Sequence, residues 1–163
     1  MSDNVSSAQA SADSQVGKNE CTAWQTLLQR IPYSGHLGLE AQQCDAGILI
    51  HLPYREAFIG NFMLPALHGG VIGALIEITA RVAAQREDTQ TRCPRILGSN
   101  INYLRSAQAQ PTFAIAEIVR QGRRTSLVQV SCWQGDKTAP IASGRVQLLF
   151  ATSGANQDDS HEG

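Results

Sequence analysis

Between His68 and Ala84 the chain contains one acid, Glu77, in an otherwise nearly all-apolar run that opens on His68-Gly69-Gly70. Two glycines at a helix start leave backbone N–H groups unpaired and open to a substrate oxygen, with the positive end of the helix dipole behind them. A carboxylate inside a buried helix is costly unless something needs it. The chemistry this combination suits is attack on a carbonyl: the Gly69 N–H stabilises the oxyanion while Glu77 attacks or activates water. Eight residues of α-helix span about 12 Å, however, which is too far for both groups to meet at one carbon. Either one of them is idle, or the site is composite, with Gly69 of one chain meeting Glu77 of another across a twofold axis between antiparallel helices. One oxyanion donor is worth roughly 3–4 kcal/mol and a positioned base about 10²–10⁴ in rate. A thioester needs little more, because its thiolate leaves readily, free thiols having a pKa of about 8.5.

The same residues admit plainer roles. Glu77 precedes Arg81 by four residues, the favourable order for a helix ion pair worth about 0.2–0.5 kcal/mol. Gly69-Gly70 could mark a close approach of helix and sheet. His68 suits a helix cap and has at most an orienting role, and Asn61 could simply stabilise its loop.

The elements that must position these groups follow from periodicity. Ala23, Trp24, Leu27, Leu28 and Ile31 recur at helical spacing until Pro32, predicting a short amphipathic helix. From Leu37 to Pro53 the pattern is that of a hairpin turning at Asp45-Ala46-Gly47. Tyr54 to Leu67 has no period and reads as a loop, and the helix of Gly69 to Arg86 follows it. That helix is apolar nearly all round, so other elements must wrap it. Four strand-like stretches supply the wrapping: Ile96 to Arg105, Thr112 to Gln121, Thr125 to Gln134 and Pro140 to Ala151. The expected fold is α+β, an antiparallel sheet curled around one long central helix.

The chain has 163 residues, enough for one domain. Charged residues make up 17% and the formal net charge is −1, so no global basic field exists for nucleic acid or an anionic membrane. Cys21, Cys44, Cys93 and Cys132 lack the spacing of a zinc or redox site, the four histidines lack metal-ligand spacing, and no phosphate-binding loop is present. Residues 1–20 and 152–163 are polar and read as disordered tails around a domain of 21–151. With no signal peptide or apolar membrane span evident, the expected location is the cytoplasm.

His68-Gly69-Gly70, Ala74-Leu75-Ile76-Glu77, the upstream Asn61 and the downstream Asn102-Tyr103-Leu104-Arg105 together resemble the PaaI-like hotdog-fold acyl-CoA thioesterases over about Ile31 to Phe150. The resemblance implies a homodimer with a continuous sheet, often paired into a homotetramer. It implies that Gly69 donates the oxyanion N–H, that Glu77 of the partner chain is nucleophile or general base, and that Asn61 contacts the thioester or water. Arg81 stands where some relatives have a small hydroxyl residue. Gly70 is a further substrate-binding candidate. Arg105, Arg123 and Arg124 are candidates for the coenzyme A phosphates, since guanidinium groups suit phosphate. The substrate would be a small, medium-chain or aromatic acyl-CoA, with no bound cofactor or metal. The alternatives are a non-catalytic acyl-CoA binding module, a hydratase or dehydratase using His68 and Glu77 for proton transfer, and a structural dimer with a Glu77–Arg81 pair.

Overall fold

The computed structural model describes the backbone of residues 4–151 and the side chains of residues 15–151. The tail expected over 152–163 lies outside the described residues. In chain order the elements are α1 (Asn4–Gln29), α2 (Pro32–Leu37), β1 (Glu40–Cys44), β2 (Gly47–Leu52), β3 (Ile59–Asn61), β4 (Ala66–Leu67), α3 (Gly69–Glu87), β5 (Arg95–Tyr103), β6 (Thr112–Gln121), β7 (Thr125–Trp133) and β8 (Ala142–Leu149).

Alternation builds the sheet. On β8, Ala142, Gly144, Val146 and Leu148 are buried while Arg145 and Gln147 are exposed, the two-residue period of a strand with one face on a core. Six strands pair antiparallel in the order β1-β2-β6-β7-β8-β5, which leaves β5 on one edge. The helix α3 packs against β6, β7, β8 and β5. Its Leu75, Ile76, Ala80 and Val82 are fully enclosed, each large aliphatic side chain contributing roughly 1.5–3 kcal/mol. The sheet comes so close at Gly144 that a Cβ there would lie 2.5 Å from Ile76 Cγ2.

Three expectations need correction. The first helix begins at Asn4 rather than near Ala23, so residues read as a disordered tail through position 20 include helix. The body reaches upstream of Cys21, because Gly17 is buried against Gln43 and Glu20 pairs with Arg86 of α3. The physical reason is tertiary: β1 gives the helix partners, with the Ala41 N–H donating to Gln25 Oε1 at 2.8 Å and the Cys21 thiol donating to the Ala41 carbonyl at 3.0 Å. Secondly, the hairpin expected from Leu37 begins only at Glu40, because Pro32 starts another helix that runs through Leu37. In this helix, α2, proline suits the first turn, and Gly38 ends it at φ 68°, a left-handed conformation that glycine tolerates. Thirdly, the Tyr54–Leu67 loop has structure of its own, since β3 and β4 pair as a small second sheet.

Candidate active site

The helix α3 starts at Gly69 because His68 caps it. The His68 Nδ1 accepts the Gly70 N–H at 2.9 Å, and the His68 carbonyl accepts the Val71 N–H at 2.9 Å. Nδ1 is therefore the unprotonated ring nitrogen. Of the two glycine amides, that of Gly70 is taken. The Gly69 N–H has no acceptor among the described residues. The cap is held in place from β3 and its approach: the His68 N–H donates to the Phe58 carbonyl at 2.8 Å, and a Cβ at Gly60 would lie 2.8 Å from His68 Cα. Only glycine fits that crossing.

Gly69 lies on the wall of a cavity of about 440 Å³ lined by Leu67, Ile72, Tyr103, Arg105, Ala107 and Ile141, among others. An apolar cavity at a helix head with one open N–H can hold an acyl group and polarise its carbonyl.

Glu77 lies two turns further along α3. It is half-buried, and its Oε1 accepts the Ser99 hydroxyl at 2.6 Å. Arg81 does not pair with it: the Arg81 Nη2 donates to Cys93 Sγ at 2.7 Å, and no ion pair joins Glu77 and Arg81 among the described residues. The Glu77–Arg81 alternative is thereby corrected; β5 and the segment leading into it offer each side chain its own partner.

The strand β5 ties the two ends together. The Tyr103 hydroxyl donates to the Gly69 carbonyl at 2.8 Å, four residues after Ser99 reaches Glu77. Four strand residues rise about 13 Å and eight helical residues about 12 Å, so β5 runs alongside α3 in the opposite direction. Gly69 and Glu77 are held apart by this double attachment. The strand packs closely on α3 at Gly73, where a Cβ would lie 3.4 Å from both the Tyr103 hydroxyl and Ile101 Cδ1.

Other candidates are spread more widely. Asn61 Oδ1 accepts the N–H groups of Met63 at 3.0 Å and Leu64 at 3.4 Å, so it holds its own loop. Arg105 is exposed at the rim of the Gly69 cavity. Arg123 and Arg124 are exposed at the other end of α3, beside a second cavity of about 450 Å³ that also includes Glu87, Asp88 and Arg92. One chain therefore does not gather the three arginines. There Arg92 holds the Asp88 carboxyl below its ordinary range through hydrogen bonds at 2.7 and 3.1 Å. Burial pushes the Cys132 thiol up to about 12, and all four cysteines are free.

Ser99 and Tyr103 were not singled out from the sequence as site residues. A signal for Ser99 did exist: with period two, Ser99 shares a strand face with Ile101 and Tyr103, and a hydroxyl on a helix-facing side needs a partner.

Residues Gly70, Ala74, Glu77 and Arg81, spaced by four, three and four, share one stripe of α3 that the described residues do not fully cover. Beside it the β5 edge exposes Ile96, Leu97 and Tyr103, and Leu104 just beyond, by 38–56%.

An antiparallel sheet packed around one long helix, with the helix head open to a cavity, defines a hotdog fold. The chain belongs to the acyl-CoA thioesterase N-terminal domain family, whose model matches residues 60–149. A search of curated proteins finds no significant match. Among solved structures, a thioesterase of Haemophilus influenzae superposes with a TM-score of 0.65 at 23% identity, covering 78% of this chain and 85% of its own. A phenylacetic acid degradation-related protein of Ralstonia eutropha gives 0.65 at 20% identity, covering 74% and 90%. A Bacillus halodurans protein solved with CoA gives 0.66 at 18% identity, covering 83% and 93%. At these identities the structural likenesses speak for the fold, and the family assignment rests on the sequence model.

Proposed function

We propose that the chain hydrolyses a small, medium-chain or aromatic acyl-CoA at a composite site between two protomers. The observation that supports this reading most directly is the open Gly69 N–H on an apolar cavity while Glu77 of the same chain is tethered two turns away by β5. A second copy, paired through the exposed β5 edge, brings its own Glu77 to the thioester. An edge strand of nine residues that exposes Ile96, Leu97 and Tyr103 invites such pairing. In this scheme Gly69 takes the developing oxyanion, the partner's Glu77 acts as nucleophile or as general base toward water, and the thiolate of CoA departs. As base, Glu77 takes a proton from water and returns it to the departing thiolate; as nucleophile, it forms a mixed anhydride that water then hydrolyses, so either route consumes one water and restores the carboxylate without a cofactor.

The Bacillus halodurans relative solved with CoA supports a CoA thioester as the substrate class. Arg105, at the rim of the cavity, is the nearest guanidinium to Gly69 among the three proposed phosphate contacts; Arg123 and Arg124 would have to act from a different protomer or not at all. The hydratase alternative is less well supported, because it needs His68 as a proton carrier and its Nδ1 is engaged as the cap. Four free thiols suit a reducing compartment, in keeping with the proposed cytoplasmic setting. Among the described residues no helix is long and apolar enough to cross a membrane.

The deciding experiment measures free-thiol release from a panel of acetyl-, hexanoyl- and benzoyl-CoA with the wild type and Glu77→Gln. Turnover by the wild type and its loss in the variant, with the oligomer intact, is the expected result. Binding without hydrolysis in the wild type would move the protein to the non-catalytic reading, and full activity of the variant would remove Glu77 from the chemistry.

A further inference from the structure

We propose that Ser99 is the positioning residue for the Glu77 carboxylate; the inference rests on Glu77 being the reacting group. The bond from the Ser99 hydroxyl to Glu77 Oε1 is 2.6 Å long, within the short range of O–H to ionised carboxylate. It is the only hydrogen bond of the Glu77 side chain among the described residues. A glutamate on the uncovered stripe of a helix otherwise samples several rotamers. Tethering Oε1 selects one of them and leaves Oε2 with a free lone pair for the thioester or for water. The choice of a hydroxyl matters. Arg or Lys at this place would set an opposing charge against the carboxylate, whereas one O–H donor orients it without adding a charge.

The strand is shaped to present this hydroxyl. Between Ile96 and Gly98 the β5–β8 register shifts, with Ile96 opposite Leu148 and Gly98 opposite Gln147. The extra residue is a bulge, a feature that re-aims the side chains beyond it. Past the bulge, Ser99 and Tyr103 lie on the side of β5 that meets α3, as their bonds to Glu77 and Gly69 require. Ser99 thus orients the acid of the site while Tyr103, two strand repeats further along, secures the glycine end.

The test compares Ser99→Thr with Ser99→Val, which have the same shape but differ in the hydroxyl and are both favoured in strands. With hexanoyl- or benzoyl-CoA, whichever the wild type cleaves faster, Ser99→Thr should keep kcat within about threefold and Ser99→Val should lose about tenfold, with KM changed by less than about twofold in both. A tenfold loss corresponds to about 1.4 kcal/mol of transition-state stabilisation. Equal kcat values for the Thr and Val variants, or a loss confined to KM, overturn the proposal. Glu77→Gln assayed alongside separates the two ideas: if it is inactive while Val equals Thr, only the Ser99 inference fails, and if it is fully active the catalytic reading of Glu77 fails first.

Discussion

The Nδ1 of His68 accepts the N–H of Gly70 at 2.9 Å, so the histidine that introduces the glycine pair uses up one of its two amides and leaves that of Gly69 open. The cap both ends the competition between the two donors and sets the orientation of the first helical turn. Its consequences reach the chemistry, the stability and the assembly of the protein.

Gly69 occupies the first position of α3, where proline fits and where His68 before it already has the extended backbone (φ −62°, ψ 131°) that precedes proline. Gly69→Pro therefore deletes the proposed oxyanion donor without breaking the helix. Its kcat should fall by about 10²–10³ with little change in Tm, and Gly69→Ala, which keeps the N–H, should fall far less. Steady-state kinetics and thermal melts of the two variants check this.

If each site combines Gly69 of one protomer with Glu77 of another, Glu77→Ala and Gly69→Pro chains should complement. Each homodimer is inactive, while a mixed dimer has one site with both groups intact. Thiol release should recover after verified subunit exchange; no recovery in a population shown to contain mixed dimers would count against the composite site.

His68→Ala removes the cap acceptor, which should destabilise the fold by about 1 kcal/mol, as for other N-cap deletions. His68→Asn supplies a new acceptor and should recover part of that loss. Chemical denaturation at neutral pH measures both. A loss several times larger would mean that the crossing at Gly60 also depends on the imidazole.

Gly144→Ala places a Cβ 2.5 Å from Ile76 Cγ2, between a fully buried β-branched side chain and the sheet. Overpacking of this kind costs roughly 1–3 kcal/mol. The denaturation midpoint should drop accordingly, and Ile76→Leu in the same chain, which has no Cγ2 methyl, should return part of it.

The Asp88 carboxyl is held below its ordinary range, first by the side-chain hydrogen bonds of Arg92. A carboxyl whose folded value is depressed stabilises the fold fully above the ordinary aspartate value of about 3.9 and loses that contribution as pH falls toward the lowered value. The Tm difference between wild type and Asp88→Asn should thus be constant near neutrality and shrink below about pH 4. Melting curves across that range read it directly.

The strands β6, β7 and β8, the turn between β1 and β2, and the start of α3 were all legible from local pattern, because alternation, turn residues and a capping residue act between near neighbours in sequence. The pairing of Gly69 with an acid eight residues on was legible too, and helix geometry alone separates them by about 12 Å. What the sequence left open was the partner of each side chain. Glu77 could have bonded Arg81 one turn away; the register of β5, set by its bulge between Ile96 and Gly98, gives it Ser99, 22 residues downstream, instead. The part of the first helix before Ala23 was hidden for the same reason, since Glu20 and Cys21 find their partners on α3 and β1, which come later in the chain. Which amide of the glycine pair stays open was likewise decided in three dimensions, by a histidine ring held where β3 crosses it.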